Sequence, residues 1–145
     1  MTLHRLLTSD DRSWALFPQV LRRCAAFIET YQSETHAAVL DANLRAKFVT
    51  GDQALGVWVA LVDDTIVAHM VAFIEETPFG RRAFVVQLEA DVAMVPEFHR
   101  EGMAAVEEWA RTCGANRIEM WTTLPERFFS RLGFEPFRTI MRRTL

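Results

Sequence analysis

The segment PEFHREGMAA, residues 96–105, places polar side chains and one glycine directly before an alanine-rich stretch with the pattern of a helix. The first turn of a helix leaves backbone N–H groups unpaired and has a partial positive charge, so it can bind a phosphate. Gly102 and Ala104 have little or no side chain to keep a ligand from that backbone. The segment is therefore a candidate phosphate cradle; the alternative is an ordinary turn between a strand and a helix.

Two carboxylates precede that segment, at Glu89 and Asp91. Because side chains alternate between the two faces of a strand, both are expected on one face together with Gln87. A partly buried carboxylate at such a position is a candidate for accepting a proton, directly or through water. The residues alone leave open the alternative that both are strand residues facing solvent.

Two histidines lie near these positions. His69 lies mid-strand between apolar neighbours, which favours a hydrogen-bonded core or cleft residue over a catalytic base. His99 is expected to be a loop residue rather than a catalyst. No spacing of His, Cys and Asp in the sequence indicates a metal site, and neither a P-loop nor a serine-centred elbow motif occurs.

The chain has 145 residues, half of them apolar, which predicts one domain over residues 1–145 with a buried core. The net charge of -3 argues against a protein that binds nucleic acid through a basic face. The N-terminus has no apolar leader, and no run is long enough for a membrane span. The two cysteines form no CxxC pair, so a reducing cytoplasm is expected.

Hydrophobic periodicity and turn residues predict the order β-α-α-β-β-β-α-β-α-β. The predicted strands are 3–7, 57–62, 65–76, 83–95, 117–123 and 134–145. The first predicted helix reaches Thr30 and is divided or kinked by Pro18, and the second covers 36–50 and is capped by Gly51. The third begins at the cradle segment and ends at Gly114, and the fourth covers 125–133. Asp63-Asp64 predicts an antiparallel hairpin, whereas the strand-helix-strand unit at 84–122 predicts a parallel pair with a right-handed crossover. The expected fold class is therefore α/β (α+β mixed), a twisted mixed sheet with helices on both faces.

That order, with the stretches VAMVPEFHREGMA and RFFSRLGF, resembles the GNAT superfamily of acyl-CoA-dependent N-acetyltransferases. The family signature is a hydrophobic strand, a proline, Gln or Arg, two residues, Gly, one residue, and Gly or Ala. His99 stands at the Gln/Arg position, Gly102 at the glycine and Ala104 at the small residue. The second stretch is similar to the family's short helix that ends in a Leu-Gly-Phe turn. The resemblance spans about residues 3–144, and its specific part is 84–134.

The resemblance implies that acetyl-CoA binds in a cleft between the strands at 84–95 and 117–123. The residues implied in cofactor binding are Val92, Met94, His99, Arg100, Glu101, Gly102, Met103, Ala104 and Phe129. The backbone N–H groups from Arg100 to Ala104 would hold the pyrophosphate. The backbone of Val92 and Met94 would pair with the pantetheine arm, and the Val92 N–H would donate to the thioester carbonyl as an oxyanion donor.

The resemblance also implies direct attack of an amine on the thioester, without an acyl-enzyme. Glu89 or Asp91 is the candidate general base, although the family's glutamate aligns with Leu88. The tyrosine suspected as the acid in much of the family is replaced here by Phe129, so the acid is unassigned. The acceptor would bind near residues 27–36, where carboxylates could attract a cationic amine.

Two further alternatives remain open from the sequence. A GNAT-fold binding or structural subunit that does not turn over acetyl-CoA would fit the replaced tyrosine and the acidic Glu101 at the phosphate cradle. An acetyltransferase acting on charged tRNA would need a basic face, which the net charge disfavours. A homodimer is plausible, because an open sheet leaves edges that a second copy can cover.

Overall fold

The structure, a computed structural model, describes residues 1–31, 34–91, 95–122 and 126–137, together with 141 and 143. Its elements are β1 Thr2–Arg5, α1 Asp11–Tyr31, α2 Glu34–Val49, β2 Leu55–Val62, β3 Thr65–Thr77, β4 Gly80–Ala90, α3 Val95–Thr112, β5 Arg117–Met120 and α4 Glu126–Ser130. The predicted mixed α/β class is confirmed, and the order of these elements agrees with the predicted order through the last helix.

The five strands form one sheet in the order β1-β2-β3-β4-β5. Neighbouring strands are antiparallel except for β4 and β5, which are parallel and joined by α3, as the strand-helix-strand pattern predicted. The predicted hairpin turn is confirmed at Asp63 and Asp64, which have φ values of 48° and 60°. Aspartate tolerates this left-handed conformation, and two such residues in succession suit the tight turn that joins twisted strands.

Two apolar cores lie on opposite faces of the sheet, because alternate residues of each strand point in opposite directions. On β2, Val57, Val59 and Leu61 pack with α1 and α2, whereas Trp58 and Ala60 pack with α3. Helices therefore cover both faces, as expected from the sequence. None of the helices among the described residues is both long and apolar enough to cross a membrane.

An irregularity in β4 positions the candidate site. Val71 of β3 pairs with Gln87, but the next residue, Ala72, pairs with Val85, so Val86 is an additional residue in β4. Such a bulge bends a strand and increases its twist. Pairing of β4 with β3 continues to Ala90, whereas its parallel pairing with β5 ends at Val85. Within the described chain, the two parallel strands thus part at the bulge.

Helix α1 is continuous through Pro18, so the predicted division into two pieces is wrong, and the alternative of a kink stays a prediction. A proline removes one backbone hydrogen bond from a helix. The apolar side of α1 includes Phe17, Val20 and Leu21, each buried, and this packing holds the helix on both sides of the proline.

Helix α3 begins at Val95, earlier than predicted, and β4 ends at Ala90 rather than at residue 95. The sequence reading treated Pro96 as the residue that ends the strand. Proline lacks the N–H that the first turn of a helix leaves unpaired, and an acidic residue such as Glu97 suits the positive end of a helix. Both residues therefore suit the first turn of the helix that begins at Val95.

The ends of the remaining elements also differ from the predictions. β5 is shorter than predicted and ends at Met120. Residues 134–137 belong to no strand, and most of the final strand predicted over 134–145 lies outside the described residues.

Candidate active site

The cleft is defined here as the gap between β4 beyond Val85 and the chain beyond Met120, the last paired residues of β4 and β5. Phe84 and Trp121 flank this point and meet edge to face, with ring centroids 4.9 Å apart. Trp121 is 57% exposed and Phe84 is buried. The closed end of the cleft therefore has an aromatic wall with one accessible ring.

Glu89 and Asp91 share one face of β4, the face covered by α1. Their side chains are 33% and 59% exposed, respectively. Arg23 of α1 lies between them, with its Nη2 atom 3.0 Å from Glu89 Oε1 and 3.7 Å from Asp91 Oδ1. Both predicted carboxylates are thus brought together, in an ion-paired and partly exposed position rather than on an open solvent face.

Arg23 is held by several groups at once. Its Nε donates to His69 Nδ1 at 3.3 Å, and its Nη1 donates to the Ile66 carbonyl at 3.1 Å. With the Glu89 contact, each of its three nitrogens bonds to the protein. A guanidinium fixed in this way holds the Oε1 atom of Glu89 in position, and the Oε2 atom can accept a hydrogen bond from another group.

His69 is fully buried directly beside this ion pair, opposite Glu89 in the β3–β4 ladder. Burial, and then the charge of Arg23, lowers the pKa of His69 to about 3. The imidazole is therefore neutral at physiological pH, and because Nδ1 accepts from Arg23, Nε2 has the proton and lies 3.5 Å from Cys24 Sγ. Burial raises the pKa of Cys24 to about 12, so this thiol stays protonated. The prediction of a satisfied core or cleft histidine agrees with this geometry.

The phosphate-cradle residues Arg100 to Ala104 lie in the second and third turns of α3, not at its start. Inside a helix each N–H is donated to the carbonyl four residues earlier, and only the first turn leaves donors unpaired. In this conformation the unpaired first-turn donors belong to Val95 and Glu97, because Pro96 has no N–H. The binding of a pyrophosphate by Arg100–Ala104 stays a prediction.

The side chains of the cradle segment divide between the two sides of α3. Arg100, Glu101 and Ala104 are exposed, whereas Gly102 and Met103 are buried. A Cβ added at Gly102 would lie 3.2 Å from Met70 Cε and 3.6 Å from a ring atom of Phe98. Gly102 therefore lets α3 pack closely against β3, whatever else it does.

His99 lies in the helix and is buried, so its prediction as a loop residue is wrong. Burial lowers the pKa of His99. Its ring lies 6.4 Å from that of Phe129 at an interplanar angle of 28°, and Phe129 meets Phe134 edge to face at 6.1 Å. These contacts attach α4 to the first half of α3. A phenylalanine ring has no proton to donate, so the acid stays unassigned.

Two predicted site residues, Val92 and Met94, lie outside the described residues. Their pairing with a pantetheine arm, and the oxyanion role of the Val92 N–H, stay predictions.

Sequence reasoning missed Arg23 entirely and treated Gln87 only as a marker of the strand face. Arg22 and Arg23 both lie between the buried residues Leu21 and Cys24 on α1, so no signal in the sequence distinguishes Arg23 from its neighbour.

A family profile and the superposition of solved structures place this chain among known proteins. The profile of the acetyltransferase (GNAT) family matches residues 14–134. A predicted acetyltransferase from Clostridium acetobutylicum, solved with acetyl-CoA, superposes with a TM-score of 0.72 at 13% identity, over 99% of this chain and 95% of that one. An aminoglycoside acetyltransferase from an uncultured soil metagenomic sample, in complex with sisomicin, superposes at 0.66 with 18% identity and the same coverage. No curated protein sequence matches. At these identities the superpositions show only the fold, and the assignment to the family rests on the profile.

Proposed function

Because the chain belongs to the acetyltransferase (GNAT) family, we propose that it transfers an acetyl group from acetyl-CoA to a primary amine of a small molecule. The observation that supports this best is the parting of β4 and β5 after Val85 and Met120. The parted strand has backbone N–H and C=O groups on its edge that an extended pantetheine arm can pair with, as an added strand would.

Acetyl-CoA is proposed to bind with its pyrophosphate at the beginning of α3. The family signature points to the N–H groups of Arg100 to Ala104, with His99 beside them. In the described helix these N–H groups are engaged, so binding there requires the first turns of α3 to open, whereas the donors of Val95 and Glu97 are available without any change. The exposed Arg100 side chain is near either location and provides a positive charge.

The proposed reaction is a direct attack. The amine nitrogen forms a bond to the thioester carbon, the carbon–sulfur bond breaks, and the sulfur leaves as a thiolate. The acceptor binds as an ammonium, and Glu89 takes one of its protons through Oε2, directly or through water, so that the neutral amine can attack; Asp91 is the alternative base. The second nitrogen proton passes to solvent as the tetrahedral intermediate collapses. Solvent protonates the thiolate, since Phe129 cannot.

The proposed acceptor is a cationic amine. Glu89 and Asp91 bring two negative charges to this face of β4 and Arg23 brings one positive charge, which leaves one net negative charge to attract an ammonium group. The solved relatives include an aminoglycoside acetyltransferase with bound sisomicin, which supports a small-molecule amine.

A titration of the protein with acetyl-CoA, followed by calorimetry, tests the cofactor site. We expect micromolar binding that Arg100→Glu weakens at least tenfold, because reversing this charge repels the phosphates. Arg111→Glu is the matched control: it is the same substitution at an exposed position near the other end of α3, where its ion pair with Glu107 contributes little. Equal weakening by both variants, or no binding to the wild type at millimolar ligand, would contradict the proposed site.

A second candidate function is a GNAT-fold subunit that binds acetyl-CoA, or a partner, without turnover. The specific observation that favours it is Phe129, which is buried at the position of the family's suspected acid. Tight binding of acetyl-CoA without amine-dependent release of CoA would support this alternative.

A further inference from the structure

Gln87 is a buried polar side chain that the proposed mechanism does not use. It is 2% exposed, and among the residues that the structure describes neither its Nε2 nor its Oε1 atom has a hydrogen-bond partner. A buried carboxamide without partners costs free energy, and such groups are rare in folded proteins. An unpaired donor and acceptor at one position therefore indicate a ligand that the free protein lacks.

The position of Gln87 connects it to the cleft. It follows the bulge residue Val86 directly, where β5 has already parted from β4, and it shares a face with Glu89 and Asp91. Along that face the whole residue Gln87 is 2% exposed, whereas the side chains of Glu89 and Asp91 are 33% and 59% exposed. Gln87 thus marks the inner end of a polar line that starts at the surface.

We propose that Gln87 forms the inner end of the acceptor site and hydrogen-bonds a neutral polar group of the acceptor, a hydroxyl or an amide, whose ammonium lies at Glu89 and Asp91. This proposal rests on the proposed acetyltransferase function. A carboxamide both donates and accepts, so its best partner does the same. A charged group is disfavoured there, because Gln87 offers no countercharge in a buried position.

The strand geometry sets the spacing of the two acceptor groups. Residues two apart on a strand are separated by about 7 Å, which is the separation expected between the ammonium and the neutral group. The probes are 5-aminopentan-1-ol, whose extended chain spans about this distance, and hexylamine, in which a methyl group replaces the hydroxyl.

The first test is the stability of Gln87→Leu. Leucine fills a similar volume without polar atoms, so we expect the unfolding midpoint to rise by roughly 3–6 °C. Gln53→Leu, at an exposed turn position, is the matched control and should leave the midpoint unchanged. A fall in the midpoint of Gln87→Leu by a similar amount would show that the carboxamide is bonded within the protein, and would overturn the proposal.

The second test is acceptor preference. We expect kcat/KM for 5-aminopentan-1-ol to exceed that for hexylamine about fivefold to tenfold in the wild type and in Gln53→Leu. In Gln87→Leu the ratio should fall to one or below, because the buried hydroxyl loses its partner. A wild-type ratio near one, or an unchanged ratio in Gln87→Leu, would overturn the proposal while leaving acetyl transfer intact.

Equilibrium binding separates failure of this inference from failure of the proposed function. If neither amine is acetylated, the kinetic test gives no ratio, and the shift of the unfolding midpoint by each amine decides the inference alone, while acetylation of other primary amines decides the proposed function. A larger shift with 5-aminopentan-1-ol that Gln87→Leu abolishes would sustain the acceptor site. Equal shifts with the two amines would overturn it.

Discussion

Glu89→Gln is expected to lower kcat for amine acetylation about 100-fold, the lower end of the usual contribution of a general base. The glutamine keeps the shape of the side chain, and its carbonyl oxygen can still accept from Arg23, so the fold should persist. Steady-state release of CoA with a saturating amine measures kcat, and denaturant unfolding checks that stability has changed little.

Two matched variants make this result interpretable. Glu76→Gln removes another carboxylate that is paired with an arginine, on an exposed part of β3, and should leave kcat unchanged. Asp91→Asn decides between the two candidate bases, because the larger loss identifies the one that takes the proton. A change in kcat below threefold for both Glu89→Gln and Asp91→Asn would rule out a base on this face of β4.

Gly102→Glu is expected to destabilise the protein by about 3 kcal/mol or more, because it forces a charged side chain into a buried contact between α3 and β3. Ala104→Glu is the same substitution two residues further along the helix, where the side chain is exposed, and should change the free energy of unfolding by about 0.5 kcal/mol or less. Urea unfolding of the two variants beside the wild type measures both values.

Equal stability of Gly102→Glu and Ala104→Glu would show that α3 does not pack on β3 as described. The expected difference also limits what Gly102 can reveal about acetyl-CoA. A variant that disturbs the helix–sheet contact would lose ligand binding whether or not its backbone holds a phosphate. A charge reversal at the exposed Arg100 avoids this ambiguity.

The general architecture follows from local signals in the sequence. The Asp63-Asp64 turn and the β-branched runs on either side of it predict the β2–β3 hairpin, and the strand-helix-strand order predicts the parallel pair. The start of α3 was missed because a proline after an apolar strand fits two interpretations. Pro96 can end a strand, or it can occupy the first turn of a helix, and the sequence alone does not separate the two.

The candidate site was predictable only in part. Alternation placed Glu89 and Asp91 on one face, and the apolar neighbours of His69 indicated a buried histidine. The ion pair between Arg23 and Glu89 joins residues 66 positions apart, so no local pattern contains it. The bulge at Val86 and the unpaired carboxamide beside it arise from strand register, which depends on the whole sheet.

The most direct test of the central claim is the detection of both products after incubation with acetyl-CoA and a panel of primary amines. We expect free CoA and an N-acetylated amine in equal amounts, identified by mass spectrometry, with CoA release that depends on the amine. Acetyl-CoA that binds but is never consumed faster in the presence of any amine would contradict it, and the chain would then be a GNAT-fold binding subunit.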